Sequence, residues 1–198
     1  MRVFLQALTS ILFDEELDID IPTKAFKSYR FNIPIYAGAR LTPALSHLAL
    51  RAKEDNDLIA RKFLAKLICD AISLTSEEEI SVIVIPSRKA ADKFRGIKHI
   101  NELVKEVTRL KPIRNFDLLR HTRKVQDQST LSHRERLENL DSAFEISKDA
   151  KRLPTKAFLM DDLVTSGATI LAASKALQVR NIQLLGVITA CATMVFTE

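Results

Sequence analysis

The stretch spanning residues 156–179 constrains the fold more than any other part of the chain. An apolar run, Ala157-Phe158-Leu159-Met160, has the length and composition of a buried strand. It ends in two adjacent carboxylates, Asp161 and Asp162, and a loop of small residues follows: Thr165, Ser166, Gly167, Ala168 and Thr169. Residues 168–179 then read as an amphipathic helix. Strand, acids, small-residue loop and helix start, in that order, make a cradle for a sugar phosphate. The first amides of a helix have no intrahelical acceptor and sit at the positive end of its dipole, so they hold a phosphate well. Thr and Ser hydroxyls add donors, and Gly167 lets the backbone approach an anion closely. The carboxylates can accept hydrogen bonds from ribose hydroxyls. Glycine is otherwise scarce, at Gly38, Gly96 and Gly186, so most loops here are built without it.

The rest of the chain alternates strands with helices. Residues 1–13 carry an apolar helical stripe (Val3, Leu5, Leu8, Ile11, Leu12), and residues 14–28 read as a connector. Tyr29, Phe31, Ile33 and Ile35 alternate around Pro34, as in an edge strand or hairpin arm. Residues 42–52 and 57–72 read as helices, the first with Thr42 as N-cap and Pro43 in the first turn. Residues 80–85 form an apolar β-branched run interrupted only by Ser81, the pattern of a central strand. A helix is expected over 98–110, a short strand over 114–119, an aperiodic loop over 121–134, a short helix over 134–140 and a final strand over 182–191. The expected class is therefore α/β, with a largely parallel central sheet flanked by helices. Ligands of such sheets sit at the carboxyl ends of the strands, where Asp161 and Asp162 fall.

The chain of 198 residues fits one main domain with a small N-terminal extension, residues 1–40 followed by a core over 41–198. A 46% apolar and 28% charged composition is that of a water-soluble globular chain. No apolar run is long enough to span a bilayer, and the N-terminal stretch lacks a signal-peptide cleavage pattern, so a cytoplasmic location and no membrane partner are expected. Cys69 and Cys191 stand alone without metal-ligand spacing and read as buried packing residues, with no zinc expected. The net charge of +5 is uneven: residues 88–136 hold 14 Lys/Arg against 6 Asp/Glu. That excess suits an anionic partner. Ser87, Arg88 and Arg95 follow the central strand and would emerge on the edge that carries the acids; arginine forks suit phosphate. His99, His121 and His133 lie nearby and read as surface histidines. No aromatic row interleaves the basic residues, which argues against a dedicated single-strand-binding platform.

The strand-acid-loop segment resembles the phosphoribosyl-pyrophosphate (PRPP) motif of type I phosphoribosyltransferases. The ordered set Arg123, Asp127-Gln128, Leu131, Arg136, Asn139-Leu140 and Ala143-Phe144, with Pro86 and Arg95-Gly96 upstream, extends this to a resemblance to the competence protein F (ComF) family over roughly residues 29–195. Residues 36–53 resemble that family's tyrosine-, glycine-, arginine- and lysine-bearing stretch, with Lys53 in the place of the lysine. The resemblance implies a type I phosphoribosyltransferase fold with a small N-terminal hood. It implies transfer of phosphoribosyl from PRPP to a nitrogen acceptor with release of pyrophosphate, or alternatively a non-catalytic PRPP- or nucleotide-binding accessory of DNA uptake. Asp161 and Asp162 would be the catalytic acids, holding the ribose and, through water, Mg²⁺. Residues 165–169 would bind the 5′-phosphate. Ser87, Arg88 and Arg95 would face pyrophosphate, and Arg123, Gln128 and Arg136 would belong to a flexible loop that closes over the site. PRPP, a small nitrogen-containing acceptor and, on the alternative, uptake machinery or single-stranded DNA are the implied partners; an oligomer is compatible with either. The chain departs from the family where Ile97-Lys98 follows Arg95-Gly96 and where Arg88 replaces a proline. It also has no cysteine before Cys69, where many members carry a zinc finger.

Overall fold

A computed structural model describes residues 24–87, 99–122, 143–150 and 152–194. Six strands form its central sheet: β1 (Phe26–Arg30), β2 (Ile33–Arg40), β3 (Ile80–Val84), β4 (Ile113–Phe116), β7 (Lys156–Val164) and β8 (Gln183–Ala192). Their order across the sheet is β1-β2-β8-β7-β3-β4. β2, β8, β7, β3 and β4 are mutually parallel, and only β1 runs against its neighbour. The carboxyl ends of five strands therefore share one edge. A separate antiparallel pair joins β5 (Leu119–His121) to β6 (Phe144–Ile146).

The continuous apolar runs follow from burial on both faces. In β3, Val82 and Val84 enter one core and Ile83 the other; in β7, Phe158 and Met160 divide from Leu159 in the same way. The first core lies under helices α1 (Pro43–Glu54), α2 (Leu58–Ile72) and α3 (His99–Leu110). The second lies under α4 (Ala168–Gln178) and the small β5–β6 pair. In α3 the stripe Ile100, Leu103, Val104 and Val107 repeats at helical spacing and is buried throughout. Gly38 permits a close approach of backbone to backbone in the first layer. A Cβ there would sit 2.1 Å from the Leu67 carbonyl oxygen, so only glycine lets α2 lie this near β2.

Both α1 and α2 begin as their caps dictate: Thr42 Oγ1 accepts from Leu45 N at 3.2 Å, and Asp57 Oδ1 accepts from Ile59 N and Ala60 N. Several boundaries differ from the sequence pattern. Residues 26–28 are strand rather than connector. The alternation over 29–36 runs across a two-residue hairpin turn, Phe31-Asn32, both with positive φ as the right-handed twist of a hairpin requires. The strand expected over 114–119 is split between β4 and β5, and β6 had no sequence signal because it is only three residues long. β7 does not stop at Met160 but continues through both acids to Val164, because β8 pairs with it up to Ala192. The helices expected over 1–13 and 134–140, and nearly all of the 121–134 loop, lie outside the described residues. Among the described residues no helix is long and apolar enough to cross a membrane.

Candidate functional site at the carboxyl edge of the sheet

The site is built on the last residues of β7. Asp161 stands at the register of Thr189 on β8, and Asp162 follows it. Each carboxylate is tied locally: Asp162 N donates to Asp161 Oδ1 at 3.0 Å, and Leu163 N donates to Asp162 Oδ1 at 2.8 Å. The fully buried Thr189 donates its hydroxyl to Asp162 O at 2.9 Å, which fixes the backbone beneath the pair.

Two basic residues from the first helical layer bear on these acids. His99, at the start of α3, is 1% exposed; its Nδ1 donates to Ala52 O at 3.0 Å. A carbonyl can only accept, so Nδ1 is protonated; the other ring nitrogen, Nε2, lies 3.5 Å from Asp162 Oδ2, where a second proton makes the ring the cationic partner of that carboxylate. That is ion-pair distance without the alignment of a hydrogen bond. Lys53, near the end of α1, acts electrostatically on both acids. Burial and then the charge of Asp162 push the Asp161 carboxyl well above the ordinary carboxylate range. Burial pushes Asp162 upward too, but His99 and Lys53 together outweigh it and hold Asp162 down at about 2. The pair is thus divided into an acid that favours its proton and one that stays ionised.

Past Val164 the chain enters the loop. Thr165 and Ser166 are exposed, Gly167 is buried at φ +80°, and α4 starts at Ala168 with no side-chain cap. Among the described residues, nothing accepts from the amides of Ser166 and Gly167. The Ala168 amide reaches only Ser166 Oγ, at 3.4 Å. The loop is held from below by Arg30 of β1, which donates Nε to Thr165 O at 3.2 Å and a terminal nitrogen to Thr193 Oγ1 at 3.0 Å. Arg30 also bonds the Thr193 carbonyl.

The structure brings Asp161, Asp162, Thr165, Ser166, Gly167, Ala168 and Thr169 together on one strand end. Ser87 leaves the sheet at the same level, since Ile85 N, two residues earlier, donates to Met160 O at 3.0 Å. Arg88, Arg95, Arg123, Gln128 and Arg136 lie outside the described residues. The surface reading of the histidines is corrected: His99 is buried against Asp162. His121 is half-buried, with Nε2 3.0 Å from Pro86 O and its ring tilted over Phe144 at 4.7 Å. His133 lies outside the described residues. His99 falls on the apolar stripe of α3, four residues before Leu103, and that phase was the available signal for its burial. Arg30 had no sequence signal as a site residue.

Each carboxylate already accepts a backbone amide through Oδ1, and no cluster of three or more metal-ligating side chains occurs among the described residues. The donor set fits a hard cation that keeps most of its waters, such as Mg²⁺, rather than a full protein cage. Neither a protein-family model nor a curated protein sequence matches the chain. Fold and site together define an α/β protein with a mostly parallel, helix-covered sheet and an acid pair beside an anion-type loop at its carboxyl edge.

Proposed function

We propose that this chain is a ComF-like member of the type I phosphoribosyltransferase fold that binds PRPP and transfers its phosphoribosyl group to a nitrogen acceptor. The observation that carries this reading is the junction of β7 with α4. There an ionised carboxylate, a second acid of raised proton affinity and the amides of Ser166 and Gly167, without an acceptor among the described residues, follow one another within eight residues.

The amides of Ser166 and Gly167, with the hydroxyls of Thr165, Ser166 and Thr169, receive the 5′-phosphate at the start of α4. Asp161 and Asp162 take the ribose diol. Displacement of pyrophosphate from C1 develops positive charge on the ribose ring, and the fixed negative charge of Asp162 stabilises it. Because His99 and Lys53 keep Asp162 ionised before substrate arrives, little reorganisation is needed in the transition state. Mg²⁺ bound with PRPP would neutralise charge on the leaving pyrophosphate, with Asp161 and Asp162 holding it through water. The segment leaving β3 at Ser87 and continuing to Arg88 and Arg95 is the part of the chain assigned to pyrophosphate.

The test is calorimetry with PRPP and Mg²⁺, followed by pyrophosphate release across a panel of nitrogenous bases. A dissociation constant of roughly 1 µM to 1 mM is expected, the usual substrate range. Asp161→Asn combined with Asp162→Asn should weaken it at least about tenfold, the loss of one charge-assisted contact. Absence of PRPP uptake by folded protein overturns the reading. Uptake without pyrophosphate release with any base leaves a PRPP-binding accessory protein.

A further inference from the structure

Arg30 is 6% exposed, and its fork is spent on main-chain acceptors from three separate segments. It donates to Tyr29 O at 2.8 Å, to Thr165 O at 3.2 Å, and to Thr193 through both its carbonyl and its hydroxyl. Among the described residues no carboxylate pairs with it. A buried guanidinium without a counter-ion is unfavourable and calls for a compensating role. The planar, trans peptide supplies one. The C=O of a residue and the N–H of the next point in opposite directions. With the Thr165 carbonyl drawn toward Arg30, the Ser166 N–H is turned away from it, to the outer side of the loop. The Thr193 hydroxyl, also held by Arg30, donates to the same Thr165 carbonyl at 3.1 Å and fixes it further. Gly167 packs directly on the arginine stem: a Cβ there would meet Arg30 Cβ at 3.0 Å and Cγ at 3.1 Å.

We propose that Arg30 is a positioning residue that sets the polarity of the 165–169 loop at its first peptide, turning the Thr165 carbonyl inward and the Ser166 amide outward so that the loop selects a phosphate monoester. The role rests on the phosphate-site reading above. Arg30 itself does not touch the ligand, since its fork is already occupied by the protein. Its charge, unpaired with any carboxylate among the described residues, adds a favourable field for a dianion close by. Lysine, a point charge on a flexible stem, cannot reach three divergent carbonyls at once.

Ribose 5-phosphate is the probe. In the wild-type chain its addition should shift the Ser166 and Gly167 amide resonances downfield in a ¹H–¹⁵N spectrum, while the Arg30 Nε–H signal stays protected from exchange. Arg30→Lys, which keeps the charge, should lose about tenfold in ribose 5-phosphate affinity and the Ser166 shift with it; Arg30→Met should lose more. A folded Arg30→Lys chain that binds ribose 5-phosphate as tightly as wild type, with the same amide shifts, overturns the proposal. So does a wild-type titration in which binding occurs but the Ser166 and Gly167 amides do not move, a measurement that needs no variant to fold. If the wild type binds no phosphorylated ribose at all, it is the phosphate-site reading that fails.

Discussion

The acid pair and the glycine loop adjoin on one strand end, yet they are held in opposite ways. Asp161 and Asp162 are governed by burial and by side-chain charge: burial and the neighbouring Asp162 act on Asp161, while His99 from α3 and Lys53 from α1 act on Asp162. The loop is governed by main-chain geometry, with one arginine gathering the carbonyls of Thr165 and Thr193. One region is an arrangement of ionisable groups and the other an arrangement of peptide dipoles. Their responses to pH should therefore part company, although the proposed function assigns both to one ligand. Damage to the acids should read out as pH-dependent stability. Damage to the loop should read out as a change nearly independent of pH.

The largest effect is expected at His99. Its removal leaves Ala52 O and Asp162 without their partner and opens a space in a site that is almost fully buried. His99→Ala should lower unfolding free energy by about 3 kcal/mol or more, as for breaking a buried polar pair. Urea unfolding at neutral pH measures it. A loss below about 1 kcal/mol would mean that Lys53 alone sustains Asp162, and the contrast between the two regions would weaken.

Next are the two acids, with opposite signs. Asp162 has a folded-state affinity for protons below that of the unfolded chain. Its stabilisation is present above the unfolded carboxylate value of about 3.9 and is lost as pH falls through the folded value of about 2. Asp162→Asn should therefore cost about 2 kcal/mol at pH 7, with the difference from wild type vanishing toward pH 2. Asp161 is raised instead, so its contribution is present below about pH 3.9 and is lost as pH rises through its folded value. Asp161→Asn should stabilise the chain at pH 7, even as it removes a carboxylate that the proposed function assigns to the ribose. Thermal unfolding from pH 2 to pH 8 separates the two; equal shifts of the same sign would show that the acids share one environment.

The parts that sequence revealed and the parts it hid divide along the same line. The strand-loop-helix junction at residues 156–178 was legible because its pattern is local: a strand, Gly167 and a helix start in direct succession. The two-faced burial of β3 was legible because a short, nearly continuous, β-branched apolar run suits a strand covered on both sides; β7 was legible as a strand from its apolar run, Ala157 to Met160, which has no β-branched residue. The acids themselves were legible, but not their difference, which depends on Lys53 and His99 lying far off in the chain. His99 was misread as exposed because a histidine beside a basic segment looks solvated unless the phase of the helix is followed back one turn. Arg30 was hidden altogether, since it acts on Thr165 from 135 positions away and through carbonyls that every residue possesses. Strand ends were legible only to within a few residues, because pairing with β8, not composition, carries β7 on to Val164.

Gly167→Ala tests the loop half of the contrast with the smallest expected effect. At φ +80° an L side chain costs about 1–2 kcal/mol, and the new Cβ would press on the Arg30 stem at 3.0 Å. The arginine stem is anchored at both ends, by β1 and by its carbonyl contacts, so it cannot swing aside without loosening Thr165. The substitution should lower unfolding free energy by about 1–2 kcal/mol by the same amount at pH 3 and pH 8, because no proton is bound or released. The same variant should weaken ribose 5-phosphate binding through loop distortion while the pH profile set by Asp161 and Asp162 stays in place. A Gly167→Ala effect that grows or shrinks across that pH range would show the loop to be coupled to the acids through the strand between them. The two regions would then have to be treated as a single electrostatic unit.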